Sequence, residues 1–155
     1  MRFEHKKEVI MSLEKAQKIV FSPLTFQAIG AMLDFGILKS IDVSAKTKEE
    51  LILSLNLSEY IINTLLDVAE VVGVVKKEKN KFFITQLGQN FLYDEMTRIN
   101  FNYVKNVCYE GACELEKSFL NSEPEGLKKL FPKSDTIYHH IIDLPEKMRK
   151  SWYEF

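Results

Sequence analysis

The sequence predicts a mainly α-helical fold with one small β-hairpin, and three observations carry that reading. Several segments space their apolar residues three and four apart, as one face of a helix requires. One short stretch abandons that period for two β-rich runs around a charged turn. Capping residues stand where most of the helical stretches begin.

Residues 4–21 place Val9, Leu13, Ala16 and Val20 at i, i+4, i+7 and i+11, flanked by Ile10 and Ile19. This is an amphipathic helix whose outer face carries Lys6, Lys7, Lys15 and Lys18. Ser22 then reads as an N-cap and Pro23 as the first-turn proline of a second helix. That helix sets Phe26, Ile29, Leu33 and Ile37 on one stripe, with Gly36 as a stop. Thr47 and Glu50 form a capping box that opens a short helix through Leu51, Ile52 and Leu55. Ser58 caps the next helix, with Ile61, Leu65, Val68 and Val72 on its apolar face and Gly73 at its end. From Val74 to Ile84 the chain reads as two strands turning at Lys79-Asn80, after which Thr85 caps a helix through Leu92.

Helix, helix, turn, helix and hairpin, in that order, make a winged helix-turn-helix domain over residues 22–93. Extra helices flank it. Residues 1–21 precede it, and residues 94–155 begin with a long helix over 95–121. Along that helix Phe101, Val104, Cys108, Gly111/Ala112, Leu115 and Phe119 form a seam of the kind that packs along another helix. A short segment with Leu127, Leu130 and Phe131 ends at Pro132, and a last helix begins near Asp143-Leu144-Pro145. Met148, Trp152 and Phe155 keep an apolar stripe running to the final residue, so the chain is expected to be part of a longer protein.

Composition narrows the function. With 21 Lys+Arg against 22 Asp+Glu the net charge is −1, which gives no general pull toward nucleic acid or anionic membrane. The six glycines, at 30, 36, 73, 88, 111 and 126, never cluster as a phosphate-cradling loop requires. No apolar run is long enough to span a membrane, and the N-terminus has no signal-peptide pattern. Cys108 and Cys113 fit neither a redox pair nor a zinc site and read as reduced thiols, which places the protein in the cytoplasm. His139 and His140, with Asp143 three residues beyond, read as surface imidazoles. No residue reads as catalytic or metal-binding.

Charge also tests the obvious use of a helix-turn-helix. Its recognition helix, Ser58 to Val72, holds Glu59, Asp67 and Glu70 and no Lys or Arg, a net of −3. A helix entering the major groove needs cations and amides aimed at phosphates and base edges. The hairpin carries Lys76, Lys77, Lys79 and Lys81 against Glu78, a net of +3, which suits an edge strand guarded against sheet pairing as well as it suits phosphate.

Several stretches resemble the N-terminal winged-helix dimerisation domain of class I S-adenosylmethionine-dependent methyltransferases of the O-methyltransferase type. They are Ser22-Pro23-x-x-Phe26 leading into Met32-Leu33-Asp34-Phe35-Gly36-Ile37-Leu38, the Thr47-capped helix, Leu65-Leu66-x-x-Ala69-x-x-Val72-Gly73-Val74-Val75, and Phe83-Ile84-Thr85-x-x-Gly88-x-x-Phe91-Leu92. The ending, from Leu144 to Phe155, is similar to the helical linker that enters the methyltransferase domain of such proteins. The resemblance implies an intertwined homodimer whose N-terminal domains help to wall the pocket of a small-molecule methyl acceptor. S-adenosylmethionine and the catalytic base would belong to a following Rossmann-like domain, so this chain inherits no cofactor or catalytic residue. On this reading the helix over 4–21 and the seam over 95–121 meet a second copy through Val9, Leu13, Val20, Val104 and Leu115. Phe101, Tyr103 and Tyr109 are the aromatics expected near the acceptor, and neither DNA nor membrane is a partner. The alternatives are a winged-helix DNA-binding regulator and a ligand-sensing interaction module.

Overall fold

A computed structural model describes residues 2–155, with side chains from residue 6 onward. The chain divides into two compact units, Met1–Leu92 and Tyr93–Phe155.

The first unit opens on α1, one helix over Arg2–Asp34. The break expected at Ser22-Pro23 does not occur, and the reason is local. A proline inside a helix lacks the N–H that would bond the carbonyl four residues back, here that of Ile19. The Ser22 hydroxyl donates to that same carbonyl at 2.8 Å, so the acceptor keeps a partner and the helix runs through. Ser22 is therefore not an N-cap. The helix ends before Gly36, whose φ of +73° starts a separate helix α2 (Ile37–Val43). Ile37 thus opens α2 instead of closing the preceding stripe, and it is fully buried.

The capping box forms as read. At the start of α3 (Lys48–Leu55) the Glu50 carboxylate accepts the Thr47 N–H at 2.7 Å, while the Thr47 hydroxyl accepts the Glu50 N–H at 3.3 Å. Ser58 accepts the Ile61 N–H at the head of α4 (Glu59–Val72), and Gly73, at φ +86°, ends it in the left-handed region that glycine enters at no steric cost. Strands β1 (Val75–Glu78) and β2 (Lys81–Ile84) pair antiparallel with Val75 opposite Ile84. Lys46 adds two backbone bonds to Phe82, pinning β2 from the segment between α2 and α3. Thr85 then precedes α5 (Gln86–Tyr93); its hydroxyl accepts the Gly88 N–H at 3.2 Å and donates to the Gly73 carbonyl at 2.6 Å.

The core of this unit gathers Met32 of α1, Ile37, Leu38 and Ile41 of α2, Leu51 of α3, Ile62 and Leu66 of α4, and Phe82 of β2, each at most 2% exposed. Gly88 allows α5 to close over the sheet. A Cβ there would run into the Val74 carbonyl oxygen and stand 2.7 Å from Cγ1 of Ile84.

The second unit begins with α6 (Glu95–Tyr103), capped by the Asp94 carboxylate, which accepts both the N–H and the hydroxyl of Thr97. Those hydrogen bonds hold the Asp94 carboxyl below its ordinary pKa. The long helix expected over 95–121 is interrupted twice. Val104–Cys108 forms a π-helical turn, and after α7 (Tyr109–Ala112) a tight turn at Cys113-Glu114 precedes α8 (Leu115–Asn121). A π turn adds a residue and rotates the later part of the helix by about 100°, so the seam of alternating threes and fours does not stay on one face. Next come α9 (Glu125–Lys128), a 3₁₀ segment over Tyr138–Asp143 and α10 (Glu146–Glu154). Among the described residues of this unit only Phe101 and Leu144 are buried apolar side chains.

Gly88→Ala is expected to lower the unfolding free energy by about 1–3 kcal/mol through overpacking against backbone. Thr47→Ala should cost about 1 kcal/mol as a lost cap. Urea titrations with unchanged m-values check both.

Candidate functional site

Two surfaces stand out. The first is the outer part of α1. Every side chain from 6 to 24 is exposed, whereas Ile29 and Met32 further along the same helix are buried as α1 packs on α2 and α4. The expected interface residues Val9, Leu13 and Val20 lie on this stretch at 45%, 59% and 64% exposure. Val104 and Leu115, expected on the same interface, lie in the second unit, exposed to 39% and 52%.

Elsewhere in the first unit, Glu59, Asp67 and Glu70 of α4 are all exposed, so the carboxylates read from the sequence do face outward. On the hairpin, Lys76 pairs with Glu78 at 2.7 Å and the Lys77 ammonium lies 5.6 Å from the centre of the Phe82 ring. The acidic helix and basic hairpin are both open to solvent.

The second surface belongs to the second unit and is aromatic. Tyr103 stacks on Phe155 with ring centres 4.0 Å apart and lies 5.8 Å from Trp152, whose ring meets Tyr138 edge-on at 5.9 Å. Burial, and then the neighbouring Cys108, push the Tyr103 phenol above its ordinary pKa; burial likewise raises the Cys108 thiol. Behind the cluster, the Asn106 amide of the π turn donates to the Ser151 hydroxyl of α10 at 2.8 Å. Ser151 is only 3% exposed, so this bond satisfies a buried polar group and ties the π turn to the helix bearing Trp152.

Of the three aromatics expected near an acceptor, Tyr103 is in this cluster and Tyr109 is half-buried on α7. Phe101 is 8% exposed and belongs to the unit's interior. Sequence reasoning does not single out Trp152, Tyr138 and Phe155 as binding residues, although the stripe through Met148, Trp152 and Phe155 is a signal that marks two of them.

His140 departs from the surface reading. Its ring stacks on Phe131 at 4.2 Å, its Nε2 meets the Ser134 hydroxyl, and its Nδ1 lies 3.9 Å from the Asp143 carboxylate. Phe131, beside Pro132, supplies a flat apolar partner that the pairwise spacing of the histidines does not reveal. His139 remains exposed.

The residues present do not fit a nucleoside cofactor. Gly36 and Gly73 sit at helix boundaries, while Gly88 and Gly126 are packed against backbone, so these glycines open no loop onto a ligand. Among the described residues no three His, Cys, Asp or Glu side chains are placed to hold a metal ion. No single described helix is long and apolar enough to cross a membrane.

Residues 14–82 match the Dimerisation2-like domain family. No curated protein matches the sequence. Among solved structures the chain is similar to the S-adenosylmethionine-dependent methyltransferase SibL in its apo form (17% identity, TM-score 0.78, 92% of this chain and 42% of that one). It is also similar to the mitomycin 7-O-methyltransferase MmcR (16%, 0.73, 96% and 44%) and to LepI in complex with SAM (13%, 0.76, 97% and 42%). At these identities the likeness is one of fold. The chain spans about two fifths of the length of the structures it matches.

An ion network in the second unit makes a pH test. Glu125 accepts from the Asn121 amide at 2.9 Å and pairs with Lys117 at 3.0 Å and Lys128 at 3.4 Å. Led by the Asn121 bond and then Lys117, these contacts lower its pKa from 4.5 to about 2. A carboxyl lowered on folding stabilises the native state above its ordinary pKa and loses that contribution as pH falls through the lowered one. The difference in Tm between the wild type and Glu125→Gln should therefore be fully present above pH 4.5 and close as pH approaches 2.

Proposed function

We propose that the chain is the dimerising and acceptor-walling part of a larger S-adenosylmethionine-dependent O-methyltransferase that works as a homodimer in the cytoplasm. The observation that carries the dimer is the outer part of α1, a run of 19 residues with every side chain exposed and an apolar stripe at Val9, Leu13, Ala16 and Val20. Most of the stability of a helix in a protein comes from packing of its apolar face, so an exposed stripe of this kind calls for a partner helix. Its spacing of four, three and four suits helix-on-helix packing with a second copy. The fold of the solved methyltransferases supports the larger assignment.

In that enzyme S-adenosylmethionine, held outside this chain, would supply the methyl group. The chain's own share is to present Tyr103, Tyr138 and Trp152 as an aromatic wall against a planar acceptor, with the Asn106–Ser151 bond fixing the π turn behind them. The three exposed carboxylates of α4 oppose the regulator alternative, since they would face phosphate. The thiols Cys108 and Cys113 are both free, which is compatible with a reducing compartment.

Sedimentation velocity tests the dimer. The wild-type chain should sediment as a dimer at micromolar concentration, and Leu13→Asp combined with Val20→Asp should give a monomer. Neither side chain belongs to the core of its own unit, so far-UV circular dichroism should stay unchanged. A monomeric wild type overturns the proposal.

A further inference from the structure

We infer that the second unit carries a binding site for one uncharged aromatic ring, separate from the Tyr103 cluster and independent of the proposed dimer. Where α7 and α9 cross, Gly111 faces Gly126 with no side chain between them: a Cβ on Gly126 would stand 2.6 Å from the Gly111 carbonyl oxygen and 2.7 Å from its Cα. The backbones meet directly, and beside the crossing a cavity of about 140 Å³ stays open. Its walls are the apolar side chains of Val107, Leu127, Leu130, Ile137 and Met148, and the two glycines form part of its lining. Exposed Glu110 and Lys129 mark the mouth, where the Lys129 ammonium is already paired with Glu114 at 2.7 Å.

Size and lining together define the ligand. An engineered protein cavity of about 150 Å³ walled by Leu, Ile and Phe stays dry and takes up benzene. The present cavity has nearly that volume and a largely apolar wall, so a ring of six carbons fits it. Away from Glu110 and Lys129 at the mouth water gains little, because the other lining side chains lack hydrogen-bonding groups. Charge selects further. Two carboxylates, Glu110 and Glu114, stand around one ammonium at the mouth, which disfavours an anionic ring. Val107 belongs to the π turn, so the added residue of that turn contributes directly to the wall.

Methyl-resolved NMR of the 155-residue chain titrated with toluene tests the site. Saturable shifts are expected at the methyl groups of Val107, Leu127, Ile137 and Met148, with none at Leu51 or Ile62 in the other unit. Val107→Phe should fill the space and weaken toluene at least tenfold. Gly111→Ala gives a second variant should the first not fold. Its added Cβ meets nothing nearer than the Gly126 Cα at 3.8 Å, yet it adds a methyl to the lining and should also weaken binding. Benzoate should bind more weakly than toluene. The inference is overturned if toluene gives no saturable shift up to its solubility, if both folded variants bind as the wild type does, or if benzoate binds as tightly.

Discussion

The arrangement depends on one hydrogen bond at the only interior proline of α1. Pro23 leaves the Ile19 carbonyl without its helical donor, and a helix that broke there would give two short pieces. Because the Ser22 hydroxyl occupies that carbonyl, α1 stays continuous for 33 residues, about 50 Å. Its inner end is anchored by Ile29 and Met32 in the core of the first unit, and the exposed outer stretch continues from it in the same helix. A side chain of one residue thus connects the packed and the exposed parts of α1. The dipeptide that looks like a helix start is the joint between the anchored and the exposed parts of a single helix.

The first unit keeps the devices that shape its backbone apart from the charges its outer faces carry. The caps at Thr47 and Ser58, the left-handed turns at Gly36 and Gly73, and the close approach at Gly88 are all backbone devices, indifferent to what the outer faces carry. Those outer faces are free to vary, and here α4 exposes three carboxylates beside a lysine-rich hairpin. Surface charges of this kind contribute little to stability. Their arrangement therefore bears more on which charges can approach than on the stability of the fold.

Much of the first unit is legible in the sequence because its signals are local. The Thr47–Glu50 box, the Ser58 cap and the Lys79-Asn80 turn each involve residues within four positions of one another, and each forms as read. Ser22 misleads because a serine before a proline fits two local patterns, an N-cap and a hydroxyl that bonds back to a carbonyl. The structure has the second, with the hydroxyl bonded back to Ile19. In the second unit the apolar seam over 95–121 is real as a pattern, but periodicity does not register a π turn, which inserts a residue without any Gly or Pro to announce it. Phe101 reads as a pocket residue because its aromatic character is visible in the sequence and its burial is not. Tyr103 is found, but its partners Tyr138, Trp152 and Phe155 come from 35 or more positions downstream, beyond the reach of spacing arguments.

The two units differ in how their apolar side chains are used. Among the described residues the first buries a dozen of them, whereas the 63 residues of the second bury two and leave Leu115, Phe119, Leu120, Tyr138, Ile142 and Tyr153 more than half exposed. A unit with so small an interior relies on other ties, and they are identifiable: the Asn106–Ser151 bond, the carboxylate–lysine network around Glu125, the ring stacks of Tyr103 and His140, and the Gly111–Gly126 crossing. Each is directional, so together they fix a geometry more strictly than they supply stability. Rigid placement with much of the apolar surface uncovered suits a wall against which another body packs, and it explains why the aromatic residues of this chain are concentrated where its own core does not need them.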